Sequence, residues 1–495
     1  MAGIELLLIL SAVLLVLAVL ASKFSVRTGV PALLLFLLIG MLMGSDGPGR
    51  IYFDYPWLTQ AIGVVALAYI LFSGGLDTQW ADVRAVWRSG LSLSTIGVLM
   101  TALLVGGFVH LVLDFPLAEG ILLGSIIAST DAAAVFSVLR GQSVRLRGFL
   151  RPVLEVESGS NDPLAVFLTI GMLQLVQHPE QSPLTLLPLF IQQMGLGVLF
   201  GWGLGLIGRW LLNRLDLEYD GLYPVLTVAL VLLVYGLTTA LGGNGFLAVY
   251  LAGLLIGQKP FIHRRSLLQF HDGLAWLMQI AMFITLGLQV YPSRLPAVAL
   301  DGLLVAGFVI LIARPISVFI ALIGARCGLR ERLFIAAVGL RGAAPIVLAT
   351  FPLLAGIDRA GTIFNLVFFI VLTSVLLQGT LIVPLARLLG VEDRSPPARS
   401  PLDFVMDDRE ISNNLAELTL PEGSPWVGQR IFDLMLPDDV LIVLIGRGQH
   451  MIVPRGTTAF EAGDRVLVLA SDSALRALRA EIAPASPRDS LPSPA

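Results

Sequence analysis

Apolar windows recur along nearly the whole of this 495-residue chain, and they constrain its fold more than any other feature. A window of about 17–25 apolar residues is long enough to cross a bilayer as a helix. Thirteen are predicted: 4–22, 29–44, 59–76, 91–112, 117–139, 152–176, 186–208, 222–241, 245–257, 272–290, 297–323, 332–355 and 361–386. The composition agrees: 56% of residues are hydrophobic and only 14% charged, whereas soluble chains run nearer about 25% charged. The expected class is an all-α polytopic membrane protein. Net charge −3 decides nothing about anionic partners. The single cysteine, Cys327, excludes an internal disulfide. The first window has no basic residues before it, while Lys23 and Arg27 follow it, so it is expected to stay as an uncleaved first span.

Basic residues between the windows test the count. One set of loops holds Lys23, Arg27, Arg84, Arg88, Arg140, Arg145, Arg147, Arg151, Arg209, Arg214, Lys259, Arg264, Arg265, Arg326, Arg330 and Arg332. The other holds only Arg50, Arg294 and Arg359. The positive-inside bias puts the N-terminus outside and the C-terminus in the cytoplasm, which requires an odd number of spans.

After Leu389 the composition shifts. Residues 391–410 are polar and carry Pro396, Pro397 and Pro401, as a linker does. Residues 411–482 alternate short β-like runs (418–420, 440–445, 451–453, 466–470) with turn signals at Gly446-Arg447-Gly448 and Ala462-Gly463-Asp464. Helices are expected at 431–436 and 473–482, giving a small α+β cytosolic domain. At about 70 residues it is near the lower limit for a lone stable domain, so pairing with a second copy would help it. The proline-bearing tail, 483–495, is expected to be disordered.

Polar residues inside the windows point to function. The sixth window contains Glu157-Ser158-Gly159-Ser160-Asn161-Asp162. A charge near the bilayer centre costs about 2.5–3.5 kcal/mol on insertion scales and therefore needs a partner or a task. Glu157 and Asn161, like Ser158 and Asp162, are four apart, so all four are expected on one side of the helix. That grouping reads as an oxygen cage for a small monovalent cation, with charge from Asp162 and neutral ligands from Ser158 and Asn161. A polar seam between helices is the plainer reading. Ser129-Thr130-Asp131 in the fifth window suggests a helix that breaks and restarts, with Asp131 capping the second half; the plainer reading is a short helix starting near the interface. Gly339-Leu340-Arg341-Gly342-Ala343-Ala344-Pro345 in the twelfth reads as a second unwound crossover, seven spans on. Arg314 in the eleventh window needs a carboxylate, for which Glu157 is the candidate; Arg341 competes for it, and snorkelling is open to both arginines. A potassium-filter sequence, a phosphate-binding loop and a metal-ligating His/Cys cluster are all missing, which argues against a potassium channel and an ATP-driven pump.

Glu157-Ser158-x-x-Asn161-Asp162, Thr130-Asp131, Arg314 and Leu340-Arg341-Gly342, in this order, resemble the monovalent cation:proton antiporter superfamily, on the branch of NhaP-type antiporters and sodium/proton exchangers. Leu420 to Gly428 and Ala462 to Val466 resemble the C-terminal regulatory domain of TrkA/RCK proteins. Together the two parts are similar to potassium/proton antiporters of the cell-volume-regulation (CvrA) type. The resemblance implies thirteen spans with inverted repeats and two broken crossing helices, a homodimer, and elevator-like movement of an ion-carrying core. It makes Asp162 the residue holding cation and proton in turn, gives Asn161, Thr130 and Asp131 a part in shaping the site, and pairs Glu157 with a basic residue, Arg314 first and Arg341 second. It implies a small regulatory ligand, such as a nucleotide, on the cytosolic domain, and neither nucleic acid nor a cofactor. The third span, Phe72-Ser73-Gly74-Gly75-Leu76, has no acid there and is left out of the coordination shell. The expected function is a secondary active, electroneutral exchange of potassium or sodium for protons across a bacterial inner membrane, by a transporter and not an enzyme. The rival readings are a ligand-gated cation channel and a non-transporting sensor.

Overall fold

The computed structural model describes residues 3–393 except 29, 143, 216, 220 and 259–263, and residues 415–482 except 435, 438–439, 449, 471–473, 476 and 479–481. Most of the expected linker, the whole tail and Lys259 lie outside the described residues. The chain divides into two units, Met1–Arg394 and Ser395–Ala495.

Among the described residues the named elements of the first unit are all helices. Its N-terminal helices are α1 (Ile4–Thr28), α2 (Ala32–Met43) and α3 (Pro56–Asp77). Then come α4 (Trp80–Ser92) and α5 (Val98–Leu113), joined into one span by a π-helical turn at Leu93–Gly97, and the two halves α6 (Leu117–Ile127) and α7 (Ala132–Gly141). The long α8 (Leu150–Gln177) carries the polar motif. It is followed by α9 (Leu186–Arg214), α10 (Leu222–Ala240), α11 (Gly245–Gly257) and α12 (Arg264–Gln289). Another span with a π-helical turn, α13 (Leu295–Phe308), Val309–Ala313 and α14 (Arg314–Ala321), precedes the halves α15 (Leu329–Ala337) and α16 (Ala344–Ala355), and α17 (Ala360–Leu388) closes the unit. Among the described residues nine helical stretches are long and apolar enough to cross a membrane, and α2, α11 and α16 are shorter apolar helices. Counting α8 and taking α15 with α16 as one interrupted crossing, the described residues make thirteen spans, at the windows the sequence offers.

Two triplets of spans share an order of parts. Spans four to six are a helix with a π-helical turn, a broken helix and an unbroken helix; spans eleven to thirteen repeat that order. An offset of seven crossings reverses the direction of each counterpart, so the repeats are inverted. The two π-helical spans pack on each other: the Phe108 and Phe308 rings stack with centroids 4.1 Å apart, and the Thr101 hydroxyl donates to Ser317 Oγ at 3.0 Å. Close backbone approach elsewhere depends on small residues, the usual means of helix association in lipid. Gly197, Gly201, Gly205 and Gly208 form a buried stripe on α9, and a Cβ on Gly201 or Gly205 would press into Ala248 or Ala252 of α11.

The second unit contains a four-stranded antiparallel sheet of order β1-β4-β2-β3, built from β1 (Leu415–Thr419), β2 (Leu441–Arg447), β3 (His450–Ile452) and β4 (Arg465–Leu469). Gly448, at φ +59°, turns β2 into β3. Leu418, Leu420, Trp426, Ile445, Phe460, Val466 and Val468 form its core. The expected helix at 431–436 is a 3-10 turn, Ile431–Leu434; much of the second expected helix lies outside the described residues. Arg447 grips the fully buried Asp464 through Nε and Nη2 at 2.9 and 2.8 Å and also pairs with Glu461. Burial pushes the Asp464 carboxyl up, but the Arg447 guanidinium and the Glu461 backbone N–H outweigh it and hold the group below the ordinary carboxylate range.

A candidate cation and proton site at the helix crossover

Both broken spans are interrupted at depth and touch there. Between α6 and α7 the chain leaves the helix at residues 129–131, and between α15 and α16 it is unwound at 339–342. The Asp131 backbone N–H donates to the Leu340 carbonyl at 2.8 Å, so one crossover satisfies the other. Gly342 permits this approach, because a Cβ there would overlap the Asp131 carboxylate. Asp131 is the N-cap of α7, with Oδ1 accepting from the Ala134 N–H at 3.0 Å. It thereby satisfies a donor that a restarted helix leaves free and places negative charge at the positive end of the dipole.

Arg341 serves the opposite pole. Buried at 1% exposure, it donates from Nη1 to the Ala128 and Ser129 carbonyls at 2.8 and 2.7 Å, at the C-terminal end of α6. Its own backbone N–H is held by Ser374 of α17 at 3.0 Å, and Gln378 of α17 donates to the Ala337 carbonyl at 2.9 Å. Arg314 holds the other acid: its Nη2 lies 2.6 Å from Glu157 Oε1, with both side chains almost fully buried. Gly339 makes room, since a Cβ there would press against the Arg314 side chain.

α8 presents its motif to these elements on two sides. Glu157 turns to Arg314, whereas Ser158, Gly159 and Asp162 line a cavity of about 220 Å³. The expectation that all four polar residues share one side is corrected here: at about 3.6 residues per turn, acids five positions apart face different ways. Ser158 Oγ donates to the Thr130 carbonyl at 3.0 Å and accepts from the Ala132 N–H at 3.1 Å. Asn161 Nδ2 donates to Thr130 Oγ1 at 2.7 Å. These bonds tie α8 to the first crossover. Asp162 Oδ1 and Asn161 Oδ1 are buried without a hydrogen-bond partner among the described residues. Pro163 then removes the N–H that would bond the Gly159 carbonyl and loosens the helix one residue past Asp162.

The cavity also reaches residues that sequence reasoning left aside. Ser73, Gly74 and Asp77 of α3 line it, as do Glu155, Tyr250 and Asp272. Asp77 and Asp272 lie near span ends, where a charge carries no signal of its own, and Tyr250 reads as an ordinary apolar-helix residue. Arg140 and Arg151, which flank the α7–α8 loop, mark the outer part of the cavity.

Comparison with known proteins agrees with this architecture. The family model for the transmembrane sodium/hydrogen exchanger matches residues 10–388, and that for the TrkA-C domain matches residues 415–483. A K(+)/H(+) antiporter NhaP2 of Shewanella oneidensis is 41% identical over 477 residues, covering 95% of this chain and 82% of that protein. The Na(+)/H(+) antiporter 1 of Methanocaldococcus jannaschii is 30% identical over 413 residues, 76% of this chain and 94% of that one. The solved structure of the sodium proton antiporter MjNhaP1 from Methanocaldococcus jannaschii superposes with a TM-score of 0.68 at 28% identity, covering 78% of this chain and all of that one. The resemblance read from the motifs is borne out, and with 10–388 matched the chain belongs to the sodium/hydrogen exchanger family and carries a TrkA-C domain at its C-terminal end.

Proposed function

We propose that this chain exchanges potassium, and also sodium, for protons across a bacterial inner membrane by alternating access, with cation and proton competing for Asp162. The observation that carries the reading is the unequal treatment of the two motif acids. Glu157 is neutralised by Arg314 at 2.6 Å, while among the described residues no basic side chain forms an ion pair with Asp162, which lines the cavity. A bare carboxylate in that position is costly, so the charge is covered by a proton or by an alkali cation. The Asn161 oxygen, the Thr130–Asp131 crossover and Ser158 supply the neutral and charged surroundings of the cation. One acid carrying one charge implies one cation for one proton, hence electroneutral exchange. Only a covered carboxylate moves cheaply between the two faces, which couples the two fluxes.

Under the proposed orientation, N-terminus outside and C-terminus in the cytoplasm, the cavity opens toward the cytoplasmic basic loop at Arg140–Arg151. The exchanger is proposed to comprise residues 1–390, with a linker at 391–410, a regulatory TrkA-C module at 411–482 and a tail at 483–495. It works as a homodimer surrounded by lipid, and the module takes a small ligand such as a nucleotide. The test is Asp162→Asn in everted vesicles. Cation-dependent proton movement disappears while the protein remains membrane-inserted and monodisperse on extraction; retained exchange would remove the site.

A further inference from the structure

The route out of α17 is fastened to the α7–α8 loop in a way that the exchange reading does not require. At the end of α17 the chain turns at Gly390, which has φ +66°. Val391 is then buried at 4% exposure in the core of the membrane unit, and its N–H donates to the Ala386 carbonyl at 3.1 Å. The next two residues pair with the α7–α8 loop. The Arg147 N–H donates to the Val391 carbonyl at 2.9 Å, and the Asp393 N–H donates to the Arg145 carbonyl at 2.8 Å. Leu146 and Glu392 thus form an antiparallel β-bridge, and Arg147 Nε adds a bond to the Glu392 carbonyl at 3.0 Å.

The two partners of this bridge are mechanically special. The α7–α8 loop has the Asp131 half-helix at one end and the Asp162 helix at the other. α17 holds the second crossover through Ser374 and Gln378. The bridge therefore joins the loop between α7 and α8 to the end of α17, the helix that holds the second crossover, and Asp393 is followed at once in sequence by the chain that leads to the TrkA-C module. An isolated bridge of few bonds, at a loop, is an element of low local stability that can open and close without unfolding the helices.

We propose that the Leu146–Glu392 bridge is the coupling strap through which the TrkA-C module sets the activity of the Asp162 site. Tension or relaxation in the chain after Asp393 shifts the α7–α8 loop, and with it the relative placement of Asp131 and Asp162. The inference rests on the exchange reading and names how that site is regulated.

The bridge geometry supplies its own test. The bonds flank Leu146 and Glu392 without joining them, which is the non-hydrogen-bonded type of antiparallel pair, with Cα atoms about 4.5 Å apart. That spacing accepts a disulfide. The full chain carrying Cys327→Ser, Leu146→Cys and Glu392→Cys is reconstituted in proteoliposomes, with and without a ten-residue Gly-Ser insertion after Ser400 that gives the module slack. Potassium- and sodium-driven proton flux is measured over a range of pH, oxidised and then reduced. The expected result is that slack shifts the cation concentration for half-maximal flux by about fivefold or more, a typical coupling between sites. Oxidation is expected to cancel that shift and reduction to restore it, with exchange itself retained in all forms. An unchanged effect of slack with the strap closed would overturn the proposal, as would slack without effect. Loss of exchange in the parent chain would instead count against the exchange reading.

Discussion

Asp162 and Glu157 lie five residues apart on one helix and have opposite fates. Glu157 is locked to Arg314, and a buried pair that loses one member leaves the other uncompensated, at a cost of about 3–5 kcal/mol. Glu157→Ala should therefore lower the thermal unfolding temperature in detergent markedly while leaving the apparent cation affinity of the remaining folded protein nearly unchanged. An altered affinity at unchanged melting temperature would contradict the assignment of Glu157 to the scaffold. The presence of the acids could be read from the sequence, because carboxylates in an apolar window need a reason. The identity of the partner could not. Arg314 and Arg341 were both open to Glu157, and the choice depends on tertiary placement: Arg341 is occupied by the α6 carbonyls, which no local spacing reveals. Ser158 was likewise legible as a polar residue on α8, but its bonds to the Thr130 carbonyl and the Ala132 N–H follow from a crossover that comes 28 residues earlier in the chain.

Each crossover is stable only because the other is present. An extended stretch inside the bilayer must find donors and acceptors from neighbouring protein, and here Asp131, Leu340, Arg341, Ser374 and Gln378 provide them. Gly342 is the point of tightest approach, since any side chain there meets the Asp131 carboxylate. Gly342→Ala should cut exchange by about tenfold or more, since small displacements of reacting groups are expensive, and the loss should appear in transport assays before it appears in a melting curve. Wild-type exchange in Gly342→Ala would show that the crossover tolerates movement and that Asp131 does not set the site. The breaks themselves were visible in the sequence: Thr130-Asp131 and the Gly339–Pro345 run interrupt apolar windows with residues that disfavour or cap helices. The π-helical turns at Leu93–Gly97 and Val309–Ala313 were not, because each lies inside a hydrophobic window that reads as one continuous helix.

The whole molecule joins a transporter unit to a small sheet domain in which Arg447 pairs with the buried Asp464. Asp464 has its folded-state carboxyl held below the unfolded value of about 3.9. A depressed carboxyl contributes stability that is fully present above the unfolded value and is lost as pH falls through the lower, folded one. In the full chain, resistance of the module to limited proteolysis should stay level near neutral pH and weaken only in strongly acidic buffer. Arg447→Gln should reduce that resistance at neutral pH and flatten its acid dependence; an unchanged profile would mean that the pair contributes nothing. At this scale the sequence was most informative about the membrane unit, because hydrophobic windows and loop charges are set by the bilayer and survive without tertiary detail. It was less informative about how the two units communicate, because the strap is made of backbone bonds that any residue type can form.

The proposed exchange rests on Asp162 taking either a proton or an alkali cation. Its most direct test is proton flux in proteoliposomes driven in turn by potassium, sodium and lithium gradients, for the wild type and for Asp162→Asn. The wild type should move protons against each transported cation, without generating a membrane potential, and the variant should move neither. Cation flux in the wild type without accompanying proton flux, or coupled flux that survives in Asp162→Asn, would contradict it.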